Sequence, residues 1–135
     1  MVARAVGGVL AGIVMAFVVV LAVEMIGVQI FPQPAGMDPR DLESVREHLT
    51  EIHTGSFVVV IVAWSLAAFT GPVVARRIAG ATPGWPPLVV IGLFAALCAY
   101  NLIAVPTPRW MTPVAVIAVG AASMLGFRNR AWIRP

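Results

Sequence analysis

Residues 21–39 read LAVEMIGVQIFPQPAGMDP and place a carboxylate, Glu24, inside an otherwise apolar run. An acid at such a position is a functional-site hypothesis by default, because a charge near the bilayer centre costs a few kcal/mol and less toward the interface. Two states are open to it. It is protonated and neutral, or ionised and paired with Arg109 or His53. The functional reading is a proton-coupled or cation-binding carboxylate in a polar pocket open to one side of the membrane. The structural reading is helix–helix glue, with Glu24 hydrogen-bonded to Asn101 or Tyr100. Gln29, Ser56, His53 and Arg109 fall at the same end of the chain's apolar runs, so Glu24, Gln29, His53, Tyr100, Asn101 and Arg109 form the candidate binding set.

A second group invites metal chemistry: EHLTEIH offers Glu47, His48, Glu51 and His53. Two zinc ligands on one helix want i, i+4 spacing. His48 and His53 are five apart, so on a continuous helix they diverge by about 140°. No metal site is expected, and no cofactor. There is no nucleophile–base motif and no glycine-rich phosphate loop, so an enzyme built on Glu24, His48 and His53 ranks last.

The elements that must position these residues follow from composition. In 135 residues, 60% are hydrophobic and 11% charged, more apolar area than a soluble domain of that size can bury. The excess faces lipid. Four apolar stretches, about Val6–Phe31, Gly55–Ala75, Leu88–Val105 and Pro113–Phe127, are candidate transmembrane helices. Crossing the hydrocarbon takes about 20 residues, so the first must tilt or protrude and the fourth must sit in a thinned or shielded site. The first run greatly exceeds the roughly 7–15 residues of a signal-peptide core and lacks an A-x-A-like cleavage site, so it is read as a span.

Charge sets the expected direction. All nine basic residues are arginines. With four spans, Arg4, Arg76, Arg77, Arg128, Arg130 and Arg134 share one side, and Arg40, Arg46 and Arg109 the other. Six against three makes both termini cytoplasmic and puts the loop between the first two spans outside. Trp85 and Trp132 then lie at the inner interface and Trp110 at the outer. The arginines flank spans and form no basic patch, so nucleic acid is not an expected partner. Cys98, the single cysteine, excludes an internal disulfide.

Loops and seams complete the plan. FPQPAGMDP stops the first helix and TPGWPP separates the second from the third. In VPTPRWMTP, Thr112 is placed to cap a helix starting on Pro113. DPRDLESVREHLTEIH (38–53) reads as an amphipathic helix in the outer loop, capped by Asp38, with Leu42, Val45, Leu49 and Ile52 on one face. Five acids against Arg40 and Arg46 give it a charge of −3, the wrong sign for anionic lipid. It is expected to lie across the span tops. Small residues mark helix seams: Gly8, Gly12 and Ala16; Ala63, Ala67, Gly71 and Ala75; Gly92 and Ala96; Ala118, Ala122 and Gly126. Pro72 frees the carbonyl of Ala68 and should kink the second span.

LAVEMIGV, eight residues around Glu24, resembles the first helix of the small multidrug resistance transporters, in which one membrane glutamate binds protons and cationic drugs in turn within a dimer. The long acidic loop and the absence of that family's tyrosine–tryptophan set depart from it. Residues 20–80 also resemble a group of uncharacterised bacterial four-span proteins, through Glu24, Pro32, Pro34, Gly36, Asp38, Trp64, Gly71 and Ala75. That likeness implies an architecture and brings no activity.

The expectation is therefore an all-α, four-span bundle with a short amphipathic helix in its first loop. The leading function is a non-catalytic scaffold or accessory protein. The alternative is a proton-linked small-molecule or cation transporter using Glu24. The expected partners are the lipid bilayer, further copies of the chain, or another membrane protein.

Overall fold

A computed structural model describes residues 2–80 and 84–129, which form five helices. These are α1 (Val2–Ile30), α2 (Leu42–Glu47), α3 (Thr54–Ala79), α4 (Trp85–Ala104) and α5 (Met111–Arg128). The described residues contain no strand. Four of the helices are long and apolar enough to cross a membrane, and α2 lies in the loop between the first two. The protein is a multi-pass helical bundle.

Its organiser is α3. It packs on α1, α4 and α5, while α1 and α5 do not meet and α4 barely touches α5. The reason is side-chain size. Lipid supplies no hydrophobic drive between helices, so close approach goes to the helix with the most small residues. Ala63, Ala67, Ala68, Gly71 and Ala75 of α3 are all buried. A methyl added at Gly8 would lie 2.6 Å from the Ala75 carbonyl oxygen, and one at Gly12 2.7 Å from that of Gly71. The half of the bundle opposite the lid is therefore zipped backbone to backbone along α1 and α3. On the other flank, Gly126 of α5 sits 2.5 Å, by the same measure, from the carbonyl oxygen of Phe69. The expected seam on α4 differs. Gly92 and Ala96 are exposed, and nothing lies within 4 Å of a methyl built on Gly92.

Helix ends follow local chemistry. Pro86 and Pro87 fall in the first turn of α4, where a missing N–H costs nothing. α5 starts two residues before Pro113. Trp110 is its cap position and makes no side-chain cap bond, so Thr112 is inside the helix and not its cap. α3 continues through Pro72.

The lid helix is much shorter than its pattern predicts, six residues in place of sixteen. The Asp38 carboxylate accepts from the Arg40 N–H at 2.9 Å, an Asx-type turn that holds the chain out of helix. The Asp38 N–H donates to Ser44 Oγ at 3.0 Å, and Asp41 takes over the cap by accepting from the Glu43 N–H at 3.1 Å. At the other end, the His48 ring nitrogen Nδ1 bonds the Ser44 carbonyl at 2.7 Å, and a turn follows. Of the expected apolar face, Val45 is buried, Leu49 and Ile52 are half-buried, and Leu42 is exposed.

The ends of the bundle differ in charge. Arg4, Arg76, Arg77 and Arg128 lie at the end away from the lid, where Arg76 stacks 4.6 Å from the Phe127 ring centre. Arg40, Arg46 and Arg109 lie on the lid side. Arg130, Trp132 and Arg134, and part of the TPGWPP turn, fall outside the described residues.

Candidate functional site

Three stripes converge beneath the lid. On α1, Phe17, Val20, Leu21 and Glu24 recur at i, i+3, i+4 and i+7. On α4 the same spacing gives Phe94, Leu97, Cys98 and Asn101, and on α3 it gives Phe57, Val60 and Trp64. One face of each helix thus looks into a common cleft of about 410 Å³, roofed by Val45 of α2. The α1 and α4 stripes each end, toward the lid, in a polar residue.

Glu24 is half-buried and also lines a second cleft of about 350 Å³. This one lies between the lid-side ends of α1 and α3 and the loop that carries Gln33, Pro34 and Met37. The carboxylate sits where the two clefts meet, under Val45, which lines both. Ser65, Thr70 and Asn101, other polar side chains of the spans, return a donor to the carbonyl four residues back, at 2.8, 2.9 and 3.1 Å. An ionised carboxylate has no donor to return. Among the described residues, no hydrogen bond or ion pair reaches Glu24.

The other candidates take varied places. Asn101 shares the larger cleft with Glu24, its amide nitrogen occupied by Leu97 and its carbonyl oxygen left as an acceptor. Tyr100 is 69% exposed on the lipid-facing side of α4 and lines neither cleft. Gln29 and Arg109 are exposed and likewise absent from both. His53 is a helix cap. Its Nδ1 accepts from the Gly55 N–H at 2.9 Å, and its ring stacks on Phe31 with centroids 4.7 Å apart. That bond requires the proton to sit on Nε2. Neither His53 nor His48 lines a cleft that holds Glu24. Among the described residues, no three of His, Cys, Asp and Glu gather where they could hold a metal ion.

The cleft walls, above all Phe57, Trp64, Phe94 and Leu97, are not in the candidate set from sequence. Their signal was the i, i+3, i+4, i+7 spacing that runs back from Glu24 and Asn101. Chemically, the arrangement is an apolar chamber with one carboxylate and weak hydrogen-bonding groups at Asn101 and Thr107. No basic side chain lines either cleft.

No protein family, no curated protein and no solved structure matches the chain.

Proposed function

We propose that the protein binds and moves a small molecule or cation through Glu24, in a proton-linked cycle, in a bacterial cytoplasmic membrane with both termini inside. The observation that carries this reading is the unpaired carboxylate at the junction of two clefts. Helix–helix glue would leave such a group hydrogen-bonded between helices; a binding site leaves it facing space a ligand can fill. The seam of Gly8, Gly12, Gly71 and Ala75 closes the half away from the lid, the geometry of a site open on one side. The test is charge-displacement current from proteoliposomes on a solid-supported membrane, challenged with a panel of amines and small organic cations. Currents from wild type that vanish in Glu24→Gln support the reading. Equal responses from both proteins, or none from either, end it.

The accessory or scaffold reading has its own support. α4 and α5 splay apart over Trp64, leaving an apolar groove of about 520 Å³ edged by the exposed Ala95, Ala99 and Gly120. Small residues on an open face are what a helix of another protein, or of a second copy, packs against.

A further inference from the structure

We infer that the ligand at Glu24 is a long-chain amphiphile with a primary ammonium head, taken sideways from the lid-side leaflet between α1 and α4. The inference rests on reading Glu24 as a binding site and adds the chemical class of what binds.

The tail follows from a second cavity. A groove of about 220 Å³ runs between α1 and α4, lined by Ile13, Ala16, Val90 and Leu93, and it shares Phe17, Phe94 and Leu97 with the main cleft. The two are one trough. From Ile13 to Glu24 is eleven residues, about 16 Å along the helix axis, the reach of an extended alkyl chain and not of a compact metabolite. Its rim faces lipid: Leu21 is 59% exposed, Leu93 53% and Phe17 48%. The trough, at about 410 and 220 Å³, has room for one alkyl chain.

The head follows from the polar groups. Glu24 is the one charged group lining the trough, and no arginine or histidine lines it to meet a phosphate, sulfate or carboxylate. The Glu24 carboxylate and the Asn101 side-chain carbonyl are both acceptors. A primary ammonium brings three N–H donors and a positive charge to them; a quaternary ammonium brings charge alone. Depth agrees as well. Glu24 lies six residues, about 9 Å, inside the lid-side end of α1. With 29 residues α1 is about 43 Å long and overshoots a 30 Å hydrocarbon core. Shared between its two ends, that excess brings Glu24 close to headgroup level. The smaller cleft under the lid loop then gives the head a way to water.

The test uses Trp64, which is buried and lines the cleft. In a Trp85→Phe, Trp110→Phe, Trp132→Phe background, the protein in zwitterionic nanodiscs is titrated with dodecylammonium dibrominated along its chain, a contact quencher of indole. Saturable quenching is expected, at least about tenfold weaker for the equally brominated dodecyl sulfate and for Glu24→Gln. Glu24→Asp, which keeps the charge, should fall between. Unbrominated alkylammonium competitors should strengthen as the chain lengthens from one carbon to twelve. Equal quenching by the ammonium and sulfate probes in this background, with Glu24 unchanged, overturns the inference and needs no substitution at Glu24. So does a trimethylammonium competitor as strong as its primary analogue. If methylammonium competes as well as the long chain, the tail trough is wrong and Glu24 remains a binding site. If no probe quenches saturably, the amphiphile is wrong, and the charge-displacement currents with small amines and cations decide Glu24 separately.

Discussion

Glu24 and His53 look alike in sequence, polar residues at the edge of apolar runs, yet the bundle uses them in opposite ways. His53 is engaged twice, capping α3 and stacking on Phe31. His53→Ala should lower stability by about 1 kcal/mol through loss of the cap, and the lost stacking adds to that. His53→Asn should recover most of the cap term, because its side-chain oxygen can accept the same N–H. Thermal unfolding in nanodiscs reads both, and an alanine variant as stable as wild type would remove the capping role. Glu24 makes no such contacts, so Glu24→Gln takes away no hydrogen bond and no ion pair. Its unfolding midpoint should match or exceed wild type, within about 0.5 kcal/mol on the low side. A loss of about 2 kcal/mol or more would mean that the carboxylate ties helices together. Glu24 was legible in the sequence because an acid stands out against lipid-soluble neighbours. Phe57, Trp64, Phe94 and Leu97 were not. In a membrane, residues facing lipid and residues facing a cleft are equally apolar, so composition does not tell the faces apart.

Between elements, small residues decide which helices meet, and the glycines sort into two kinds. Gly12 presses on the backbone of α3, whereas a methyl on Gly92 or Gly120 meets nothing within 4 Å. Gly12→Val should therefore force α1 from α3 and cost about 1–3 kcal/mol or more, since a carbonyl oxygen cannot rotate away as a side chain can. Gly92→Ala should be neutral or gain up to about 1 kcal/mol from helix propensity. The pair is a matched measurement in nanodisc unfolding, and equal effects would mean that the α1–α3 seam is not the tight one. The sequence marked Gly8, Gly12, Gly71 and Ala75 as seam residues, and also Gly92 and Ala96, which the bundle leaves open. Spacing alone carries no partner. The lid shows a related limit. Asp38, Pro39 and the Leu42–Ile52 periodicity all favour helix, but the side-chain bonds of Asp38, Ser44 and His48 to nearby backbone groups confine it to Leu42–Glu47.

At the scale of the whole molecule, the four spans were the most legible feature, because an apolar run near bilayer length has few other fates. Which way the bundle faces rests on a separate asymmetry. Five of the chain's six carboxylates lie on the lid segment, and four arginines of the described residues gather at the opposite end. Acidic residues contribute little to orientation, so the arginines decide it, and the excess favours the end away from the lid. The lid, and with it both clefts at Glu24, should therefore face the exterior. Single cysteines at positions 47 and 128, each in a Cys98→Ala background, test this with a membrane-impermeant maleimide on intact bacterial cells. The Glu47→Cys protein should label before lysis and the Arg128→Cys protein only after it. The reverse pattern would turn the clefts toward the cytoplasm and make any amphiphile bound there one drawn from the inner leaflet. Labelling of both in intact cells would mean that two orientations coexist, and the arginine excess would then be too small to set direction by itself.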